Sequence, residues 1–348
     1  MMIKNIFSRF ISWNGFLAVM FAGVLFYATI SVPHFASAFN LSQAAAGVSE
    51  KAILLLPMAL LIIAREIDLS VASILALTSV VLGVLIRAHV PLFVAILAVL
   101  VAGAAAGALN GLLVTGLNLP SLLVTLGTMA LFRGIGYIML GTHSVNELPE
   151  ELTDFGINTV GSTVVPWTIV PFIILAPVFA TVLHYTALGR RIYAIGGNPD
   201  VALYTGIRVR RLRFGLFVLS GLMCALAGIV FTARLSNARA DNAVGFELDV
   251  ITITLLGGIS VFGGRGNLTG VLWALGLVAI IRNVLGLNRI GGDGQGVAIG
   301  LLLILSLLLS NSVQNVLDNL RTQRLIKSMA LRQSETTLGS GLPGAGAE

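Results

Sequence analysis

Apolar stretches of near 20 residues recur along this chain of 348 residues, and they determine the solvent in which it folds. A bilayer core about 30 Å thick is crossed by about 20 residues of α-helix. Hydrophobic residues make up 57% of the chain and charged residues 10%, whereas a soluble domain carries about 25% charged residues. The long runs and 39 glycines favour packed helices over alternating strands, so the sequence predicts an all-α membrane protein.

Polar breaks divide the chain into about ten predicted transmembrane helices. They cover residues 14–33, 48–64, 69–86, 91–114, 121–140, 166–186, 213–235, 249–262, 268–286 and 296–311. Basic residues cluster before residue 10, from Arg190 to Arg213 and after Arg321, whereas residues 141–166 carry four acidic residues and no basic one. The positive-inside rule then places the basic loops and both termini on the cytoplasmic side of a multi-pass membrane protein. The start of the chain also resembles a cleavable signal ending at Ala38, but its apolar stretch is long, which favours a retained first span.

Charged residues interrupt the apolar sequence at Arg65, Glu66 and Asp68. The run from 52 to 64 has 13 residues and contains a proline, too few to cross the bilayer, so it predicts a short or broken helix beside a polar cavity. Asp68 is positioned to cap the next helix. Asp249 begins a second such helix, and aligning IDLSVASILAL with LDVITITLLGG predicts an inverted repeat.

Polar residues within the apolar runs are the candidates for a polar path through the bundle. Gly103, Gly107 and Gly111 predict a close helix contact, and Asn110 lies on nearly the same stripe. Hydroxyl groups of the next run either face the path or bond back to their own helix, and its arginine faces either a polar path or a structural partner. The path or helix-start candidates are Asp68, Ser70, Asn110, Thr125, Thr128, Arg133 and Asp249.

The sequence lacks the motifs of the common classes of enzyme site. No lysine stands in a glycine-rich phosphate loop, the four histidines lack the spacing of a zinc site, and no hydrolase motif is present. Cys224 is the single cysteine and has no partner in the chain for a disulfide. We therefore expect no catalytic residue, no metal and no cofactor bound by this chain. The net charge of +6 lies in loops beside the membrane, which indicates contact with lipid and not with nucleic acid.

The basic segment from about 187 to 212 is longer than a helix hairpin needs. Asn198 or Asp200 can cap a short helix, Pro199 suits its first turn and Gly206 ends it. A capped helix outside the membrane requires a surface to bury against. The alternative is a basic loop that lies on anionic headgroups.

Four sequence blocks resemble the permease subunits of the ribose-type family of sugar ABC importers. They are LGRRIYAIGGNPDVALYTGIRV with LSGLMCALAGIV, IDLS, ALNGLLVTGLNLPSLLVTLGTMALFRG and ELDVITITLLGGISVFGGRGNLTG. The resemblance covers about residues 40–311. It differs at Arg65-Glu66, where the family usually has Gly-Gly, which puts in doubt any role that needs close backbone passage there.

The resemblance implies a bundle like that of the vitamin-type ABC importers, with a second permease subunit, either identical or paralogous. A periplasmic sugar-binding protein would dock on residues 141–166 and 236–247. A separate ATPase subunit would use ATP and Mg and receive the coupling segment, whose residues would be Arg190, Arg191, Gly196, Gly197, Asn198, Pro199, Asp200, Tyr204, Gly206 and Arg208.

The substrate and the class of transporter keep alternatives at this stage. Residues 237–241 and 289–300 resemble rhamnose-type permeases, which favours a deoxysugar, with ribose or a furanosyl quorum signal as alternatives. An ion-coupled secondary transporter and a membrane scaffold are the other classes. We expect a permease domain over 1–320 and a cytoplasmic, disordered tail over 321–348.

Overall fold

The computed structural model describes residues 13–292, 294–302 and 304, and the described part is helical without a named strand. The chain divides into two compact units, residues 1–299 and 300–348. In the second unit, residues 300–302 and 304 are described, and they are helical. The first unit contains α1 Trp13–Ser31, α2 Ala38–Ala46, α3 Ser49–Ile63, α4 Val71–Arg87, α5 Leu92–Gly116, α6 Ser121–Leu140, α7 Glu150–Ile157, α8 Val170–Tyr185, α9 Ala187–Gly197, α10 Pro199–Tyr204, α11 Val209–Leu235, α12 Phe246–Leu256 and α13 Leu268–Leu287.

Six helices of the described residues are long and apolar enough to cross a membrane: α1, α5, α6, α8 with the 3₁₀ turn before it, α11 and α13. The bent pair α2 and α3 makes a seventh if it counts as one span, and α4 is a shorter apolar helix. These helices coincide with predicted runs, so the all-helical membrane architecture is confirmed. The total of about ten stays a prediction, because half of the last run, residues 303 and 305–311, lies outside the described residues.

The short run before Arg65 is the centre of the bundle. Every residue of α3 from 49 to 63 is buried, and α8, α11, α12 and α13 all pack against it. A bend of 42° joins α3 to α2. The prediction of a short or broken helix is therefore confirmed. α2 was not predicted, because its sequence AFNLSQAAA is too polar to form an apolar run.

Glycines hold the bundle together where α5 crosses α11. A Cβ placed on Gly107 would lie 3.0 Å from the Cα of Gly221, so the two backbones are in contact. Small residues permit such an approach and give helices in lipid a large area of van der Waals contact. This confirms the close helix contact predicted from the glycine spacing.

The bundle has two ends that we name by their residues. Residues 63–70, 184–213 and 258–268 meet at the arginine-rich end, where the amide of Gly264 donates to the Ile63 carbonyl at 2.8 Å. Residues 34–51, 133–169 and 229–249 form the opposite end, where Val145 and Ala238 exchange backbone hydrogen bonds. The short helix α7 covers the opposite end, with Leu152 packed against α11.

Candidate functional site

Four polar side chains form a buried cluster between α4, α5 and α11. The carboxylate of Asp68 accepts from the Ser70 hydroxyl at 2.6 Å and from the Ser220 hydroxyl at 2.9 Å. The amide of Asn110 donates to the Ser70 hydroxyl at 2.7 Å, while its Oδ1 is buried without a hydrogen-bond partner among the described residues. All four side chains are fully buried. The cluster therefore joins three helices through polar contacts and is closed to solvent.

The sequence predicted three members of this cluster as path or helix-start residues, and the structure brings them together. Ser220 was missed because a serine in an apolar run ordinarily bonds to its own helix. The prediction that Asp68 caps α4 was wrong: the residue before the helix is Ser70, whose side chain makes no capping bond. Asp68 accepts instead from the amide and hydroxyl of Ser70, before the helix begins.

The hydroxyl stripe on α6 bonds mainly to its own helix. Thr125 donates to the Ser121 carbonyl at 2.8 Å and lies 3.2 Å from the Ile67 carbonyl, and Thr128 donates to the Thr125 carbonyl at 3.4 Å. The Ser121 hydroxyl accepts from the Ile67 amide at 3.2 Å. The start of α6 is thus fastened to the turn that precedes Asp68. This arrangement is the bonding back that the sequence analysis kept open.

Arg133 lies apart from this cluster and contacts the segment between α11 and α12. Its Nη1 donates to the carbonyl oxygens of Ala240 at 2.7 Å and Asn242 at 2.6 Å. In the same segment Arg239 and Asp241 pair at 2.7 Å, and the hydrogen bond from Arg239 lowers the pKa of Asp241 below its ordinary value. The sequence left Arg133 facing either a polar path or a structural partner. In the structure it binds a structural partner, the segment between α11 and α12.

Replacing Arg133 with methionine is expected to loosen residues 236–245, because methionine cannot donate to the two carbonyl groups it would face. A charge-assisted bond contributes about 1.5–3 kcal/mol, so local opening should become more than tenfold more frequent. The rate of trypsin cleavage after Arg239 in detergent-solubilised protein measures that opening. Arg87→Met is the control, because Arg87 is exposed and lies at the same end, beside residues 144–149. Equal cleavage rates in Arg133→Met and the unsubstituted protein would contradict the assignment.

Buried ion pairs connect α3 to α11, α12 and α13 at the opposite end. Glu50 pairs with Arg234 at 2.6 Å, and Asp249 accepts from Lys51 at 2.8 Å and from Arg282 at 2.6 Å. Glu50 and Lys51 belong to the buried helix α3, so each needs a partner of opposite charge. Asp249 was predicted as a helix-start residue, and the structure places it in the first turn of α12, between two cations.

The segment after α8 folds into α9 and α10 at the arginine-rich end. The side chain of Asn198 accepts from the amides of Asp200 and Val201, which confirms the predicted cap, and Pro199 occupies the first position of α10. Tyr193 of α9 donates to the Gly266 carbonyl at 2.7 Å, and partial burial raises its pKa. α9 is thereby attached to the turn before α13.

The outer face of α10 is apolar and exposed, although α10 lies outside the long helices. Val201, Leu203 and Tyr204 are 57%, 59% and 89% exposed. Gly206 follows with a left-handed φ of 83°, a conformation that glycine adopts without strain.

A surface cavity of about 620 Å³ lies beside the end of α10. It is lined by Arg191, Thr205, Gly206, Ile207, Arg208, Arg211 and Leu212. Arg190, Arg191 and Arg208 are exposed, as is Gly197, whereas Gly196 is buried. Apolar side chains ringed by arginines are suited to bind an acidic protein groove.

Comparison with known proteins identifies relatives over most of the chain. The family model described as branched-chain amino acid transport system / permease component matches residues 40–310. The ribose import permease protein RbsC of Escherichia coli (strain K12) is 35% identical over 286 residues, which cover 81% of this chain and 88% of that protein. RbsC of Haemophilus influenzae (strain ATCC 51907 / DSM 11121 / KW20 / Rd) is 32% identical over 321 residues, covering 89% and 98%.

A relative that is named for another cargo is similar to the same degree. The autoinducer 2 import system permease protein LsrC of Escherichia coli (strain K12 / DH10B) is 36% identical over 284 residues, covering 81% of this chain and 82% of that protein. No solved structure gives a significant match.

Proposed function

The chain belongs to the family described as branched-chain amino acid transport system / permease component, and we propose that it is the membrane permease subunit of an ATP-driven sugar importer. It would form the passage for the solute, while a separate ABC ATPase subunit hydrolyses ATP with Mg and a periplasmic binding protein delivers the solute. The observation that carries the proposal is α10, a capped helix with an exposed apolar face outside the long membrane helices. Contiguous apolar side chains exposed on a protein surface mark an interaction site, so a binding partner accounts for this face.

The coupling segment divides into a rigid base and a protruding tip. Ile195 of α9 and Ala202 of α10 are buried together with Val209, which holds α10 in a fixed orientation. Tyr204 and Leu203 point away from this small core. The tip residues would enter a groove of the ATPase subunit, and the arginines around it would pair with acidic groups there.

The side chains at the two ends support a membrane orientation. We propose ten spans in the vitamin-type arrangement within the inner membrane, with the arginine-rich end and both termini in the cytoplasm. α4 and α12 would count as short spans, because each connects the two ends within the bundle. The permease domain would cover 1–320, next to a second identical or paralogous permease subunit. The inverted repeat and the tail over 321–348 stay predictions, and the tail lies outside the described residues.

The membrane carboxylates support an importer driven by ATP over an ion-coupled transporter. Asp249 lies between Lys51 and Arg282, so its charge is already balanced by the protein. Asp68 is saturated by hydroxyl and amide donors within a closed cluster. Neither group is placed to bind and release a driving cation from a water-filled path.

The cargo we propose is a small sugar or sugar-like molecule. The names of the relatives refer to ribose and to autoinducer 2, which favour ribose or a furanosyl signal. A rhamnose-like deoxysugar rests on residues 237–241 and 289–300 alone and stays a prediction. Calorimetric titration of the cognate binding protein with ribose, rhamnose and autoinducer 2 distinguishes the three, since affinity in such systems is expected in that protein.

Replacing Tyr204 with aspartate is expected to release the ATPase subunit while the permease stays folded. Tyr204 is 89% exposed, so the change removes no internal contact. Loss of a central aromatic contact weakens a protein interface by about 2 kcal/mol or more, which is more than tenfold in affinity. Co-purification of the ATPase with the tagged permease measures the effect, and ATP-dependent uptake should fall with it. Deleting 198–206 should have the same effect, and a side chain at Gly206 should distort α10.

Ile157→Asp provides the matched control for this experiment. Ile157 is 68% exposed on α7 at the opposite end, where an ATPase subunit would not bind. It receives the same change from an exposed apolar residue to a charged one. Normal co-purification with Tyr204→Asp, or equal loss with Ile157→Asp, would count against the coupling role of α10.

A further inference from the structure

The turn at Arg65 and Glu66 has a backbone that an arginine rarely adopts. Arg65 has a φ of +65°, in the left-handed region that glycine occupies without strain. A residue with a side chain persists there only when its surroundings compensate the strain. The contacts made by the Arg65 side chain must therefore supply that compensation.

The Arg65 side chain bridges two segments that are distant in sequence. Its Nε donates to the Phe262 carbonyl at 2.7 Å, and its Nη2 donates to the Gly197 carbonyl at 2.9 Å. Gly197 is the last residue of α9 and directly precedes Asn198, which caps α10. One guanidinium thus fastens the base of α10 to the turn between α12 and α13.

Glu66 contacts the segment on the other side of α10. Its side chain is 6% exposed and pairs with Arg213 at 2.8 Å. Arg213 lies in the second turn of α11, the helix that follows α10 in the chain. Two consecutive residues at the end of α3 therefore contact the segments that enter and leave α10.

Direct backbone contact makes this connection stiff. Gly264 donates to the Ile63 carbonyl at 2.8 Å, and a Cβ placed on Gly196 would lie 2.9 Å from the Cα of Gly264. The end of α9, the end of α3 and the turn before α13 consequently have no space in which to slide independently. A displacement of α10 must move these elements together or break the contacts of Arg65 and Glu66.

We propose that Arg65 and Glu66 are positioning residues that transmit movement of α10 to α3, α11 and the turn between α12 and α13. This inference rests on the proposed function, because it assigns the means by which ATP-driven displacement of the coupling segment reaches the bundle. α3 extends from the turn at Arg65 and Glu66, which we call the joint, to its ion pairs with Arg234 and Asp249 at the opposite end. The joint therefore connects the ATPase side to the side on which a binding protein would dock.

Spin labels at the opposite end test the joint without need of the transported solute. Cys224 is the single cysteine and is fully buried, so cysteines introduced at exposed Ile157 and Leu248 can be labelled selectively. The distance between the labels is measured in the complex with the cognate ATPase, with and without ATP and vanadate. The unsubstituted turn should show an ATP-dependent change. In Arg65→Gly and Glu66→Gln the population of the shifted state should fall by roughly 2- to 30-fold.

Arg289→Gly is the matched control, because Arg289 is exposed and also has a left-handed φ, of 62°, at the opposite end. It should keep the full ATP-dependent change. Arg65→Gly relieves backbone strain, so its melting temperature and its ATPase co-purification should not fall, which separates transmission from folding. Arg65→Lys should recover part of the change by donating to one carbonyl.

A full ATP-dependent change in both Arg65→Gly and Glu66→Gln would overturn the inference, as would an equal loss in Arg289→Gly. Those outcomes leave the proposed function intact, provided that the ATPase binds and the unsubstituted complex responds to ATP. Failure of the unsubstituted chain to bind the ATPase overturns the proposed function and the inference with it.

Discussion

Gly221→Val is expected to force α5 away from α11 and to destabilise the folded bundle. A Cβ on Gly221 would lie 2.7 Å from the nitrogen and 2.8 Å from the Cα of Gly107, and it would overlap the carbonyl oxygen of Gly103. These are backbone atoms of a neighbouring helix, so no rotamer change relieves the overlap. We expect a loss of about 3 kcal/mol or more, at the upper end for overpacked cores.

The monodisperse fraction that survives heating in detergent, followed by size-exclusion chromatography, measures this loss. A destabilisation of that size should lower the midpoint by roughly 5 °C or more. Gly215→Val is the control, because Gly215 is on the same helix and a Cβ placed on it would have nothing within 4 Å. The Gly215→Val change carries the same cost in helix propensity as Gly221→Val, but its side chain overlaps no neighbouring helix. Equal midpoints for the two variants would show that the crossing is not tightly packed.

Periodicity and spacing predicted those features that depend on local sequence. The bounds of α5 and α6 follow from apolar runs, the α5 contact from glycines at four-residue intervals, and the cap of α10 from Asn198 before Pro199. Each of these signals lies within a few residues of the element that it determines. The residues around them suffice because helices and caps form from contacts near in sequence.

The candidate site depended on contacts between residues far apart, which no local pattern indicates. Asp68 meets Ser220 across 152 residues, and Arg65 meets Phe262 across 197. The sequence marked Asp68 and Asn110 because polar residues in apolar runs are costly, but it could not show that they meet. Arg65-Glu66 was noted as a departure from a family pattern, whereas its contacts are made with the end of α9, the turn between α12 and α13, and the start of α11.

The pairing of Glu50 with Arg234 is the clearest example of a missed long-range contact. Both residues stand at the edges of apolar runs, where a charge ordinarily marks a membrane boundary. The packing of α3 against α11 instead places Glu50 where it is 0% exposed, with the guanidinium donating to both carboxylate oxygens, one at 2.6 Å and one at 3.3 Å. Such bidentate geometry fixes the register of the two helices.

Arg234→Met should destabilise the bundle strongly, because Glu50 would keep its burial and lose its partner. Lys51 is adjacent but pairs with Asp249, so it does not replace the guanidinium. Removing one member of a buried pair costs about 3–5 kcal/mol, whereas replacing both members by apolar residues is often nearly neutral. The double variant Glu50→Leu/Arg234→Met should therefore be more stable than Arg234→Met alone.

The thermal midpoints of the two single variants and the double variant form a double-mutant cycle that isolates the coupling between Glu50 and Arg234. Arg239→Met is the matched control, since Arg239 also pairs with a carboxylate, that of Asp241, but both side chains of this pair are 44% exposed. Solvent screens that pair, so its midpoint should stay close to that of the unsubstituted protein. Additive losses in the double variant would mean that the two charges act independently. In that event α3 and α11 would owe their register to apolar packing alone, and the ion pair would have no part in holding the joint at Arg65 in line with the opposite end.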